Sequence, residues 1–126
     1  MSIVLDSGAL IAIERNDRPM IAIIKRERRE NRAPLTHGGV IGQVWRSGQR
    51  SQVNLAHLLP GVDIRAIDHA LGLRVGLVLG AAGTADVIDA AVVLLASNDD
   101  EIFTSDPSDL RDLAVAAGLH VELVPV

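Results

Sequence analysis

Short runs of consecutive apolar residues recur along the chain, separated by longer segments with apolar residues at helical spacing. The run Ile3-Val-Leu5 is apolar and mostly β-branched, which is typical of a strand buried on both faces. The segment Val62-Asp-Ile-Arg-Ala-Ile67 alternates apolar and polar residues with the period of a strand. Together these patterns predict five strands, at residues 2–6, 33–36, 62–67, 101–104 and 120–124.

Seven helices are predicted between and after these strands. Pro19 suits the first turn of the second helix, Asp68 is a predicted N-cap, and Gly48 is the predicted end of the third helix. Residues 80–83, Gly-Ala-Ala-Gly, are predicted to form a loop. The predicted helices cover residues 7–16, 19–31, 40–47, 52–59, 68–79, 84–96 and 107–118.

Strands that alternate with helices predict an α/β fold with a mainly parallel sheet of about five strands, covered on both faces. The 126 residues fit one domain, which we expect to span residues 1–126. Open sheets of this kind bind ligands at the carboxyl ends of their strands, near the point where the strand order reverses. We therefore expect the functional residues at the carboxyl ends of the strands.

Composition narrows the possible functions. The chain has no cysteine, which excludes disulfides, thiolate zinc sites and cysteine nucleophiles. One Phe, one Trp and no Tyr argue against an aromatic platform for stacking bases. No apolar run reaches the roughly 18 to 20 residues of a membrane span, and no export signal begins the chain. We therefore expect a cytoplasmic protein without a membrane segment.

The net charge of −4 is unevenly distributed. Residues 25–32 read Lys-Arg-Glu-Arg-Arg-Glu-Asn-Arg, and Arg46, Arg50 and Arg65 add further positive charge. Two interpretations stand. These cations form a basic rim that brings a phosphate backbone to an acidic centre, or the run is a solvated helix face.

Four aspartates are the strongest chemical signal. Asp86 and Asp89 lie three residues apart near the start of an apolar helix, a spacing that places two residues on one helical face. Asp6 and Asp106 follow the first and fourth predicted strands, so a parallel sheet brings both to the same edge. A carboxylate in an apolar environment needs a compensating cation or proton. The four acids therefore predict a metal site.

Carboxylate oxygens favour hard cations such as Mg²⁺ or Mn²⁺. A cation held there can activate water and orient a phosphodiester, so hydrolysis of a nucleic-acid backbone is the predicted reaction. A structural interpretation is open for each acid: Asp6, Asp86 and Asp106 can cap helices. His37 can approach the site or act as a hydrogen-bonded loop residue.

At these positions the chain resembles the PIN-domain nucleases, particularly the VapC-like toxins of bacterial toxin–antitoxin pairs. Three segments carry the resemblance, in the order found in that family. They are Val4-Leu-Asp6-Ser-Gly-Ala-Leu-Ile-Ala12, Asp86-Val-Ile-Asp-Ala90 and Phe103-Thr-Ser-Asp-Pro-Ser-Asp-Leu110.

The resemblance implies an α/β/α sandwich and an Mg²⁺- or Mn²⁺-dependent endoribonuclease. It also implies a homodimer that a small cognate antitoxin inhibits. Asp6, Asp89 and Asp106 match the family's metal-binding acidic positions, and Asp86 is a neighbouring extra acid that we count with the catalytic residues.

One position departs from the family pattern. Gln43 stands where PIN nucleases usually have a glutamate, and an amide supplies no negative charge. Glu14 is the candidate replacement, although eight helical residues, about 12 Å, separate it from Asp6. Two alternatives to the nuclease follow: a catalytically weakened module that binds RNA or an antitoxin without cleavage, and a phosphotransfer domain with Asp6 as the nucleophile.

Overall fold

A single parallel sheet forms the centre of the molecule. The computed structural model describes residues 1–47 and 50–126, and within these residues the sheet has five strands. They are β1 (Ile3–Leu5), β2 (Leu35–His37), β3 (Asp63–Arg65), β4 (Glu101–Thr104) and β5 (Glu122–Pro125). The order is β3-β2-β1-β4-β5, and every neighbouring pair is parallel. The predicted fold class is confirmed.

Two groups of helices cover the two faces of this sheet. The described residues form α1 (Ser7–Glu14), α2 (Arg18–Arg29), α3 (Gly38–Val44), α4 (Val53–Leu58), α5 (His69–Ala82), α6 (Val87–Leu95) and α7 (Pro107–Ala117). Helices α2, α3 and α4 each pack against α1, whereas α5, α6 and α7 pack against one another. The fold is therefore a three-layer α/β/α sandwich.

The central strand β1 is completely buried. Ile3, Val4 and Leu5 are each at most 1% exposed, and Val4 pairs with Leu35 of β2 and Ile102 of β4. The chain leaves β1 toward β2 and leaves β4 toward β5, so its direction across the sheet reverses between these two strands. In open α/β sheets this reversal opens a crevice at the carboxyl ends of the strands.

Two boundaries around α6 differ from the prediction. The helix begins at Val87 instead of residue 84, because the Asp86 side chain accepts a hydrogen bond from the Asp89 backbone N–H at 3.0 Å and acts as the N-cap. The predicted loop at residues 80–83 is wrong for its first three residues. Helix α5 continues to Ala82 and ends at Gly83, whose φ of 70° is the left-handed C-cap conformation that favours glycine.

Helix α3 is shorter than predicted because a distant side chain replaces its last turn. It ends at Val44, and the Gln52 side-chain amide donates to the Val44 carbonyl at 2.9 Å. The same amide accepts hydrogen bonds from the backbone N–H groups of Arg46 and Ser47. Gly48, the predicted end of this helix, lies outside the described residues.

Helix α5 presents an apolar face to solvent. Leu73 is 60% exposed and Leu77 is 76% exposed, and an added Cβ at Gly72, Gly76 or Gly80 would meet no atom within 4 Å. No single helix in the described part of the chain is both long and apolar enough to cross a membrane. Helices α5 and α6 reach the necessary length and apolar composition only when they are counted together, and they are bent by 110° at the break between them.

Candidate active site

The loops after β1 and β4 meet through a buried threonine. Asp6 is 3% exposed; its Oδ1 accepts a hydrogen bond from the Ser7 backbone N–H at 2.7 Å, and its Oδ2 accepts one from the Thr104 hydroxyl at 2.8 Å. The same hydroxyl accepts the Asp106 backbone N–H at 3.0 Å. Thr104 thus fixes Asp6 and Asp106 relative to each other, as the parallel sheet predicted.

Close packing of these two loops requires a glycine. A Cβ added to Gly8, in the first turn of α1, would lie 2.7 Å from both the backbone nitrogen and the hydroxyl of Ser105. Asp106 occupies the N-cap position of α7, but its side chain makes no capping hydrogen bond, and the residue is exposed. Asp106 therefore occupies the cap position without capping the helix through its side chain, and the residue is exposed to solvent.

Asp86 and Asp89 lie close together, but their positions relative to helix α6 differ from the prediction. Asp86 is exposed and precedes α6, so the expectation of two acids on one face of the same buried helix is wrong for Asp86. Asp89 belongs to the first turn of α6 and is half-buried. The capping hydrogen bond between them keeps one Asp86 oxygen at the start of the helix.

Asp89 is the electrostatic centre of the cluster. Burial, as the largest effect, and then the negative charges of Asp86, Asp6, Asp109 and Asp106 together raise the pKa of Asp89 to about 6. All four acids lie near enough to disfavour a further negative charge. The four predicted aspartates therefore share one electrostatic site, and Asp109 joins them.

A cleft between α6 and α7 opens beside Asp89. It has a volume of about 280 Å³, and its polar wall includes Asp86, Asp89, Asp109 and Asp112. Asp112 was not among the predicted site residues, although its spacing of three residues from Asp109 on α7 is a signal for a shared helical face. Thr104 was also missed, because a threonine that ends a strand carries no distinctive pattern.

His37 supports this edge of the sheet as a buried residue. It is the last residue of β2 and is 0% exposed, so the predicted loop position is wrong. Its Nδ1 accepts the Gly39 backbone N–H, which leaves Nε2 to donate to the Ile88 carbonyl at 3.0 Å. Burial lowers the pKa of His37, against opposing effects of that carbonyl and of Asp6. A neutral imidazole therefore joins β2 to the first turn of α6.

Two other predicted contributors lie elsewhere. Glu14 accepts a hydrogen bond from Gln52 at 2.7 Å at the far end of α1 from Asp6, whereas Gln43 is exposed on α3, the helix that follows β2. The run at residues 25–32 does not form a rim around the acids. Arg28 packs against Gly61, just before the amino end of β3, whereas the acids follow the carboxyl ends of β1 and β4.

The donor set fits a hard cation by chemistry but not as a closed cage. All the candidate ligands are carboxylates, and their mutual repulsion favours a bound positive charge. Within residues 1–47 and 50–126, however, no three Asp, Glu or His side chains form a group that could hold a metal ion. The arrangement fits an ion that one or two carboxylates hold while water completes its coordination, as is common for Mg²⁺.

Comparison with models of known protein families and with curated protein sequences finds no match for this chain.

Proposed function

We propose that this protein is a metal-dependent endoribonuclease that hydrolyses RNA phosphodiesters at the acidic cluster. One observation carries the proposal: Asp89 is half-buried where aspartates from three chain segments meet, and burial together with their negative charges raises its pKa to about 6. Such coupling is costly to the fold, and perturbed carboxylates in a cleft are typical of functional sites. The cluster also lies at the reversal of strand order, where α/β sheets bind ligands.

Asp6, Asp89 and Asp106 are the proposed metal-binding residues: one or two of them would contact the ion directly and the others through water, and Asp86 assists them. Asp6 is held in place by Thr104 and the Ser7 backbone, so it offers a fixed carboxylate at the base of the site. Asp89 gains most from a cation, because its charge is the most disfavoured. A bound Mg²⁺ or Mn²⁺ would supply a polarised water and neutralise charge on the phosphodiester.

The resemblance to PIN-domain nucleases and VapC-like toxins supports the same activity. Its three segments contribute Asp6, Asp89 and Asp106, which the fold brings to one edge of the sheet. As part of this proposal, the protein acts on RNA in the cytoplasm and is inhibited by a cognate antitoxin.

The decisive experiment is incubation of purified protein with total RNA and a labelled single strand, with Mg²⁺, with Mn²⁺ and with chelator. We expect cleavage that needs the metal and that falls about a hundredfold or more in Asp89→Asn. Asp17→Asn is the matched control. It removes one charge at the cap of α2, and asparagine caps helices as well as aspartate does. Metal-independent cleavage, or equal loss in both variants, would contradict the proposal.

A second function, binding of RNA without cleavage, is favoured by the metal geometry. No three ligating side chains of the described chain converge, and Gln43 adds no charge. This alternative predicts intact RNA in the same assay together with a measurable affinity for it in chelator. Cleavage of RNA in this assay therefore distinguishes the nuclease from the protein that only binds RNA.

The expected homodimer has a candidate surface on α5. In an antiparallel pairing about a twofold axis between Gly76 and Leu77, Leu77 lies opposite Gly76 of the second copy, and Leu73 lies opposite Gly80. Each exposed leucine thus meets a position with no side chain, which allows close helix packing. Light scattering on Leu77→Glu tests this: we expect a dimer of the parent protein and a monomer of the variant.

A further inference from the structure

Ion pairs within the basic run at residues 25–32 divide its cations into those with a carboxylate partner and those without one among the described residues. It contains five cations and two carboxylates. Glu27, which is 1% exposed, pairs with Arg26 at 3.2 Å and with Arg32 at 2.8 Å, and Glu30 pairs with Arg32 at 2.6 Å. Among the described residues, Lys25, Arg28 and Arg29 make no ion pair. The pairing therefore leaves three uncompensated positive charges on α2.

All three remaining cations line one cleft. The cleft has a volume of about 410 Å³, and of the residues that the structure describes, Lys25, Arg28 and Arg29 line it. Arg28 is held against Gly61: a Cβ added there would lie 2.5 Å from the Arg28 Nε. The Arg28 side chain thus lies directly over Gly61, and a larger residue at position 61 would displace it.

The cleft is electrostatically opposite to the rest of the molecule. The net charge of the chain is −4, so the three cations stand out against an acidic background. They also lie toward the amino ends of the strands, away from the acidic cluster at the carboxyl ends. A polyanion is therefore attracted to this face and repelled by the other, unless a cation neutralises the aspartates.

We propose that this cationic cleft binds the phosphate backbone of single-stranded RNA, at a position separate from the acidic cluster. The identification of the polyanion as RNA rests on the proposed function. Lysine and arginine side chains are the usual contacts to phosphates, and the three in this cleft have no carboxylate partner among the described residues, so their charge is complementary to a phosphate backbone. The cleft holds one part of the strand while another part reaches the aspartates.

The test measures binding without cleavage. Fluorescence anisotropy of a labelled single strand in chelator is recorded over a series of salt concentrations for the parent protein and for Lys25→Gln/Arg28→Gln/Arg29→Gln. Loss of three phosphate contacts on a single strand should make the slope of log affinity against log salt less steep by about 2. The substituted side chains make no ion pair in the described structure, so we expect the fold to be retained, as checked by circular dichroism.

Two further variants identify the source of any loss. Arg15→Gln/Arg18→Gln/Arg74→Gln removes the same charge from exposed positions outside the cleft, and we expect it to leave the slope nearly unchanged. Gly61→Ala keeps every charge but displaces the Arg28 guanidinium. We expect it to weaken binding by less than the triple cleft variant does.

Several results would overturn the inference: a parent protein that does not bind RNA, equal loss in both triple variants, or displacement of RNA by polyglutamate as readily as by unlabelled RNA. The last result would identify an acidic protein as the occupant. The proposed nuclease activity fails separately: binding that depends on the cleft, without metal-dependent cleavage, supports the cleft and refutes the nuclease.

Discussion

Replacement of Asp89 by asparagine is expected to stabilise the metal-free protein. The carboxylate has an ordinary pKa of 3.8 that burial and four neighbouring acids raise to about 6. Each tenfold change in proton affinity corresponds to about 1.4 kcal/mol, so the full effect is about 3 kcal/mol. Asp89 is half-buried, and its charge also interacts favourably with the α6 dipole. We therefore expect Asp89→Asn to raise the free energy of unfolding by about 1–2 kcal/mol.

The pH dependence gives this prediction its sign. A carboxyl whose pKa is raised on folding favours the folded state when protonated, and this contribution is lost as the pH rises through the folded-state pKa. Urea unfolding in chelator should therefore show the full difference between variant and parent at about pH 8 and almost none near about pH 4. Added Mg²⁺ should stabilise the parent more than the variant, because the ion compensates the charge that the variant lacks.

The Asp17→Asn variant controls for net charge, since it removes one acid at an isolated helix cap. It should differ little from the parent protein at either pH. A destabilised Asp89→Asn at about pH 8, or a difference that is the same at both pH values, would refute the argument that burial and the neighbouring aspartates disfavour the Asp89 charge. The cluster would then be a set of independent surface acids.

Three further contacts, those of Glu27, Thr104 and Gly8, are tested by substitution. Glu27→Gln should lower the free energy of unfolding by about 1–3 kcal/mol at neutral pH. Burial opposes ionisation of Glu27, but its two arginines lower its pKa overall. In urea titrations the parent protein alone should therefore lose this stability as the pH falls below 4.5. Thr104→Val should cost about 1–3 kcal/mol in thermal unfolding, because a buried carboxylate loses a donor, whereas serine should restore most of it. Gly8→Ala should lower the free energy of unfolding by about 1–3 kcal/mol through its clash with Ser105. Gly42→Ala lies in open space within α3 and should raise the free energy of unfolding by about 0.5–1 kcal/mol. The reverse order of the two glycine variants would contradict the close approach of the loops.

Local patterns were sufficient for the architecture. Consecutive apolar residues identified β1 and β4, and the alternation with helices predicted their parallel arrangement, which brought Asp6 and Asp106 to one edge. Residues typical of helix starts located two helices well: Pro19 lies in the first turn of α2, and Asp68 caps α5. These features depend on neighbours in the sequence, so a single sequence contains them.

Contacts between distant segments were not predictable in the same way. The α3 helix ends where the Gln52 side chain takes over its hydrogen bonds, and no pattern within the helix signals that. Glu27 appeared to belong to a solvated run, but the fold buries it and pairs it with Arg32. Asp86 was placed inside the helix because its spacing from Asp89 fits both a shared face and a cap, and only the backbone decides between them.

The hydrogen bond between Asp6 and Thr104 has a consequence for synthesis of the chain. The two residues are 98 positions apart, and β1 acquires β4 as its neighbour only when residues 101–104 are present. A ribosome releases Asp6 well before Thr104 and Asp106, which join it at the carboxyl edge of the sheet. A chain that stops short of β4 therefore lacks the assembled cluster, and any chemistry the cluster performs begins only after these later residues have been translated.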